Sequence, residues 1–517
     1  MRDRSVGRLQ SESPWSRRQL IRALAAGAGG LGGAVPGTIF CSAESPPRAA
    51  PKPWTIKFLF LDWWTLEVVR GFRKTLNPPV KYSGNPILLP AKPWEGRRLH
   101  LYGTVLRDPK DGLFKMWYHS SGGPDDTWYL MYAVSADGYR WDRPEMDHLL
   151  WNGQRSNILM KGGVHGLSVM RDEEDPDPSR LFKLIMKPHG QNGVFVYFSP
   201  DGLRWRAAPQ NPVIGINSDC HIGLWRDPDT RQFVCTLRQR HVDRRVARSE
   251  SWDFIRWSEP RLIVEPEPDD PPQTQTYGLQ GFPYGPYTLG QIAVFNTSEK
   301  DMRWIHPDGT KDVQLGHSRG GWCWHRTVRD RRFIALGDPG AWDSQQVTPS
   351  TCPVLLKDRL VFYYNGAPFR HGGGYTWADE CVGLAELRAD GFVSLDTSEG
   401  EGEIVTRAFA LRKGDIFLNA DAKDGEVRVE VLTDTGTTIP GFEMSACQPL
   451  QGDSIEHRVR WRSGPDPGRI ERIPIRLRVT ARKAKLYSLW MPNGDAVTHY
   501  AAFREIRCVE PLADLEI

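Results

Sequence analysis

Four acidic side chains stand beside tryptophan or just ahead of apolar, strand-like runs. They are Asp62 in Phe60-Leu61-Asp62-Trp63-Trp64, Glu95 in Pro93-Trp94-Glu95, Asp219 in Ser218-Asp219-Cys220-His221-Ile222-Gly223-Leu224-Trp225, and Asp343 in Trp342-Asp343-Ser344-Gln345-Gln346. Two carboxyl groups brought from different segments to the two sides of one bond can do acid–base work: one protonates a leaving oxygen, the other activates water or attacks carbon. Asp219, placed ahead of a strongly apolar run, is the first candidate for such a role and Asp343 the second. A capping or surface carboxylate at a strand end is the competing reading for each of the four.

Other residues suit substrate contact. His165 precedes Gly166-Leu167-Ser168-Val169-Met170, where a neutral imidazole can donate a hydrogen bond or pass a proton. Arg238 and Arg245 offer planar forks of donors, and Tyr277 in Gln275-Thr276-Tyr277-Gly278 supplies a neutral hydroxyl. His371 lies in the glycine-rich stretch Phe369-Arg370-His371-Gly372-Gly373-Gly374. Trp94 and Trp342, with Trp63 and Trp377, are candidate flat platforms for a ring. No Cys-x-x-Cys pair is present among the cysteines after Cys41, and neither a metal nor a cofactor is expected.

The elements that must position these residues show in an internal repeat. Ser135-Ala136-Asp137-Gly138-Tyr139-Arg140-Trp141 recurs as Ser199-Pro200-Asp201-Gly202-Leu203-Arg204-Trp205. Degenerate copies follow at Ser251-Trp252-Asp253-Phe254-Ile255-Arg256-Trp257, at Ser318-Arg319-Gly320-Gly321-Trp322-Cys323-Trp324 and at Arg388-Ala389-Asp390-Gly391-Phe392, the last without its Trp. Each follows an alternating or apolar strand, and Asp-Gly favours a tight turn. A second turn lies upstream, clearest in Arg107-Asp108-Pro109 and Arg226-Asp227-Pro228. Two hairpins per copy make a four-stranded unit, and five such units predict an all-β fold, a five-bladed β-propeller over 44–400. In that fold the start of each innermost strand faces a central channel, which is why the carboxylates above are of interest. From 401 to 517 the turn signature disappears and short strands alternate with Gly/Asp/Pro turns, which predicts a separate β-sandwich.

Residues 1–43 read as an address: Ser16-Arg17-Arg18-Gln19-Leu20-Ile21-Arg22 precedes an Ala/Gly-rich apolar run, the pattern of a twin-arginine export signal. A periplasmic or extracellular destination is expected, with cleavage near Cys41-Ser42-Ala43 or lipidation at Cys41. No later segment is long and apolar enough to span a membrane. The net charge of +4, from 67 basic and 63 acidic residues, is nearly balanced and has no basic block outside the N-terminus, so nucleic acid is not an expected partner. Oligomeric state is left open.

The five copies, the Ser-x-Asp-Gly-x-x-Trp turns and the trailing β segment together resemble the glycoside hydrolase clan of families 32, 43, 68, 117 and 130. Phe417-Leu418-Asn419-Ala420-Asp421, Val459-Arg460-Trp461 and Leu486-Tyr487-Ser488-Leu489-Trp490 are similar to the sandwich of exported family-32-like proteins. The resemblance implies a carbohydrate substrate and glycosidic cleavage by paired channel carboxylates. Neither the family 32 motif Trp-Met-Asn-Asp-Pro-Asn-Gly nor that family's Glu-Cys acid is recognised here, so fructan chemistry is not carried over. The two Arg-Asp-Pro stretches are read as hairpin tips. A non-catalytic carbohydrate-binding propeller and a glycoside phosphorylase stand as alternatives; a sialidase fits less well, because its box has a residue between Asp and Gly.

Overall fold

The computed structural model describes residues 54–121, 127–216, 218–219, 221–240, 243–297, 308–329, 331–356, 358–372, 379–411, 415–493 and 506–507. The expected export signal lies outside them, as does Trp377. Among the described residues the chain is all-β, interrupted only by three single 3-10 turns, and no helix is long and apolar enough to cross a membrane.

Strands follow one another in antiparallel meanders. The first runs Arg98–Arg107, Phe114–Ser121, Tyr129–Ser135 and Ile158–Lys161; the second Leu167–Arg171, Phe182–Met186, Phe195–Ser199 and Arg206–Ala207. The third runs Gly223–Arg226, Phe233–Arg240, Arg244–Ser251 and Arg261–Val264. A nine-stranded sheet holds two further runs joined at Lys311 and Gln346. One is Gln275–Tyr284, Tyr287–Thr297, Gly309–Ser318 and His325–Arg326; the other is Gln346–Pro349, Arg359–Ala367 and Cys381–Arg388, completed by Val80–Lys81 from far upstream. The leading strands touch in cyclic order. Arg98–Arg107 meets Leu167–Arg171, which meets Gly223–Arg226, which meets Gln275–Tyr284; Tyr287–Thr297 meets Gln346–Pro349, which returns to Arg98–Arg107.

The repeated turns explain themselves locally. Asp137 Oδ1 accepts the backbone N–H of Tyr139 and Arg140 at 2.8 and 2.9 Å, and Ser135 Oγ accepts that of Gly138 at 2.8 Å. Asp201 and Asp253 do the same for their own turns. Gly138 sits at φ +83°, and a Cβ there would meet Tyr363 Oη at 2.6 Å.

The turns also tie each meander to the one before it. Tyr363 of the fifth donates to Gly138 O of the first (3.0 Å), and Trp117 of the first to Gly202 O of the second (2.7 Å). Arg180 donates to Asp253 O (2.9 Å) and Arg248 to Gly320 O (2.8 Å). Tyr284 of the fourth donates to Asp390 Oδ1 of the fifth (2.6 Å). The signature is therefore a latch between neighbours. At the opposite hairpins, Asp108 and Asp227 accept local backbone N–H groups, as expected of hairpin tips.

Apart from the separate pair Met146–Trp151 and Gln154–Ser156, the remaining strands form an eleven-stranded sheet around the long strand Phe417–Thr433. It takes strands from both ends of the described chain: Trp54–Leu59 pairs with Lys485–Asn493, Leu66–Arg70 with Gly402–Thr406, and Arg73–Leu76 with Val393–Asp396. The boundary expected at 400 falls between two of its strands. One buried apolar cluster runs from Leu418, Val429 and Leu477 of this sheet to Phe282, Phe362 and Phe392 of the meanders. Within it Lys57 pairs with Asp390 at 2.7 Å, both side chains nearly inaccessible, and Ser488 Oγ donates to the same carboxylate.

Candidate functional site

The leading strands and the loops before them carry a polar, aromatic cluster out of an otherwise apolar interior. His100 and Tyr102 project together from Arg98–Arg107, two residues apart on one face. His119 comes from the next strand and His165 from the segment ahead of Leu167–Arg171. Asp219 and His221 precede Gly223–Arg226; Arg238 and Arg244 flank the third meander's hairpin; Tyr277 and Lys311 come from the fourth meander, and Glu380 stands just before Cys381–Arg388. Ring contacts join them: Tyr102 lies 6.3 Å from His165 and 5.4 Å from His221, and His100 stacks on His119 at 4.8 Å. Trp128 lies flat against His189 at 4.8 Å and edge-on to His165 at 4.8 Å.

Two carboxylates face this cluster. Asp219 Oδ2 accepts from Arg238 at 2.6 Å, its Oδ1 is 3.8 Å from His165 Nδ1, and its side chain is 36% exposed. Glu380 Oε1 is 3.1 Å from His100 Nδ1 and is buried. Burial would raise the Glu380 carboxyl, but His100 and Lys311 outweigh it and hold it below its usual range. Lys311 Nζ donates to Tyr102 Oη at 2.9 Å. The Tyr277 ring has Arg238 at 4.0 Å, Lys311 at 4.3 Å and Arg244 at 5.8 Å from its centre, and its hydroxyl is 3.4 Å from His371 Nε2.

Three histidines of the cluster, His119, His165 and His221, are held neutral. Burial pushes His165 and His221 down to about 3, against the opposing pull of Asp219 on the first and of the Pro349 carbonyl on the second. Burial, with His100 and His165 nearby, drives His119 well below the ordinary histidine value, and neither of its ring nitrogens has a hydrogen-bond partner among the described residues.

Of the residues singled out from sequence, the structure brings together Asp219, His165, Arg238, Tyr277 and His371. The others lie elsewhere. Asp343 is buried, accepting from Lys81 at 2.6 Å and from Tyr364 at 3.0 Å, so it anchors the strand that completes the fifth meander. Glu95, also buried, accepts from Tyr118, Arg143 and the backbone of Ala91 and Lys92. Asp62 pairs with Arg319 at 3.0 Å. Arg245 pairs with Asp243 and Glu265. Trp94 is buried and donates to Asn157, while Trp342 stacks on Tyr364 over Gly366 and Gly383. Tyr102, His100, His119, Lys311, Arg244 and Glu380 were not singled out. Glu380-Cys381 is a Glu-Cys pair, which corrects the reading that the chain has none. For Tyr102 the only signal was polar residues recurring at even spacing, His100, Tyr102 and Thr104; Lys311, with Gly309 and Val313 two residues away on either side, gave no such signal.

No protein-family model matches the chain, and no curated protein matches its sequence. Solved structures that resemble it include a family 43 arabinoxylan arabinofuranohydrolase from Bacillus subtilis, at 10% identity and a TM-score of 0.37, covering 81% of this chain and 99% of that one. An N-acetylgalactosamine deacetylase from F. plautii aligns at 13% identity and a TM-score of 0.39, covering 61% of this chain and 94% of its own. A β-1,2-mannobiose phosphorylase from Listeria innocua aligns at 11% identity and a TM-score of 0.39, covering 60% and 96%.

Proposed function

We propose that this chain is an exported carbohydrate-active enzyme that cleaves glycosidic bonds of an oligosaccharide or polysaccharide at the cluster around Asp219. The meanders, whose strands lie between Val80 and Arg388, are read as five blades of a propeller, with the eleven-stranded sheet that gathers strands from both ends of the described chain as its sandwich; the cyclic contacts and the latches between turns support that count. The observation that carries the functional reading is the convergence of a partly exposed carboxylate, Asp219, with a buried ionised one, Glu380, among donors from every meander.

In this reading Asp219, held by Arg238, activates the attacking water, and Glu380 faces the positive charge that builds at the anomeric carbon. Tyr102 supplies the proton to the leaving oxygen, and the ammonium of Lys311 at 2.9 Å stabilises the charge left on its phenol. Neutral His165 and Trp128 contact the sugar. Asp343, Glu95 and Asp62, each engaged by a cation from a distant segment, serve the fold.

Phosphorolysis is the second reading, favoured by the three cationic groups within 6 Å of the Tyr277 ring. Release of reducing sugar from a panel of neutral and acidic polysaccharides, with and without inorganic phosphate, tests both. Phosphate-independent release supports hydrolysis, phosphate-dependent release of a sugar phosphate supports phosphorolysis, and saturable binding without release would leave a carbohydrate-binding propeller.

A further inference from the structure

A second polar cleft lies on the other face of the fourth meander. Alternation along its strands turns Phe295 and Lys311 towards the cluster above and Asn296, Asp312 and Gln314 away from it. There they line a groove of about 890 Å3 together with Arg73, Arg331 and Arg332. This is near the upper end of the roughly 300–1,000 Å3 range of ligand clefts.

The groove's chemistry is two-sided. Asp312 is 2% exposed; its Oδ2 accepts from Arg332 at 2.9 Å and from Asn296 at 3.0 Å, while Oδ1 is buried with no hydrogen-bond partner. Gln314 Oε1, on the same strand face, is likewise buried and unpartnered among the described residues. Two acceptors so placed call for donors, since a buried acceptor left unmade is costly. The rim calls for the opposite. Asp270 is taken up by both arms of Arg326 at 2.5 Å, and Asp312 by Arg332, so Arg73 and Arg331 add positive charge that no carboxylate among the groove's described residues cancels. A bare anion would meet the rim but be repelled by Asp312 and satisfy neither acceptor, and a neutral sugar would leave the rim unused. Among the described residues no aromatic ring lines the groove for a base to stack on.

We infer that this groove binds an acidic saccharide, its hydroxyls donating to Asp312 and Gln314 and its carboxylate or sulfate oxygens accepting from Arg73 and Arg331. The inference stands on the groove's own residues and does not depend on cleavage at Asp219.

Calorimetric titration of the full chain with tetragalacturonate, with a sulfated galactan tetrasaccharide and with neutral maltotetraose tests it and separates carboxylate from sulfate. At least one acidic tetramer should bind more tightly than maltotetraose, and Gln314→Ala and Arg331→Glu should each weaken it about tenfold or more. Arg73→Glu, in a different sheet, repeats the test if either variant folds poorly. Failure of both acidic tetramers to bind, equal binding of maltotetraose, or wild-type affinity in the folded groove variants would overturn the inference; the last result would place any binding at the channel cluster instead.

Discussion

Acid should destabilise this protein well above the range in which carboxylates titrate. Burial also lowers His457, but it holds four histidines among the described residues furthest down: His165 and His221 to about 3, His317 to about 4, and His119 well below its ordinary value. Each stays neutral in the folded state through a window in which the unfolded chain, with histidines near 6.5, takes up protons. The unfolded state therefore binds more protons, and stability must fall as pH falls from about 6.5 towards 4. Between pH 6.5 and 5.5 each such group costs about 1 kcal/mol, so the four together remove about 4 kcal/mol. The carboxylates held low by their partners, Asp390 and Glu380 among them, contribute stability that is present above the unfolded carboxylate value and lost only as pH falls through their lowered folded values, below this window. Urea unfolding at pH 7.5, 6.5 and 5.5 measures the effect directly. His317→Gln, away from the cluster, should flatten the decline by about a quarter. A constant unfolding midpoint between pH 6.5 and 5.5, or one that rises, would refute the reasoning.

Asp390→Asn leaves the Lys57 ammonium buried without its counter-charge and should cost about 3–5 kcal/mol in urea unfolding; replacing both residues with apolar ones of similar volume should recover most of that loss. Gly138→Ala must place a methyl 2.6 Å from Tyr363 Oη at a positive φ, and should lower stability by about 1–3 kcal/mol while leaving any saccharide turnover in place. Glu95→Gln should likewise lower the unfolding midpoint without changing turnover per folded molecule, because its carboxylate is spent on Arg143, Tyr118 and two backbone amides.

Local chemistry was the most legible part of the chain. Ser-x-Asp-Gly marks a turn because the Ser and Asp side chains satisfy backbone N–H groups within the same seven residues, so the signal is complete in the sequence. That the same turns latch neighbouring meanders was not visible, since the partners Tyr363, Trp117, Arg180, Arg248 and Tyr284 lie 72 or more residues away. The same limit governs the acids. Asp343, Glu95 and Asp62 have the local setting of Asp219, and only the arrival of Lys81, Arg143 and Arg319 from other segments distinguishes them. Tyr102 and Lys311 were hidden differently. A buried strand presents both faces to protein, and alternation alone does not tell the face that lines a channel from the face that packs on a neighbour.

The central claim is that the cluster around Asp219 cleaves saccharides. Initial rates of sugar release by wild type, Asp219→Asn and Tyr102→Phe, on the substrate that wild type turns over fastest, test it most directly. The account predicts rates about 10²–10⁴-fold lower in both variants with unfolding midpoints close to wild type. Undiminished turnover in Asp219→Asn, or binding without any release by the wild type, would contradict it.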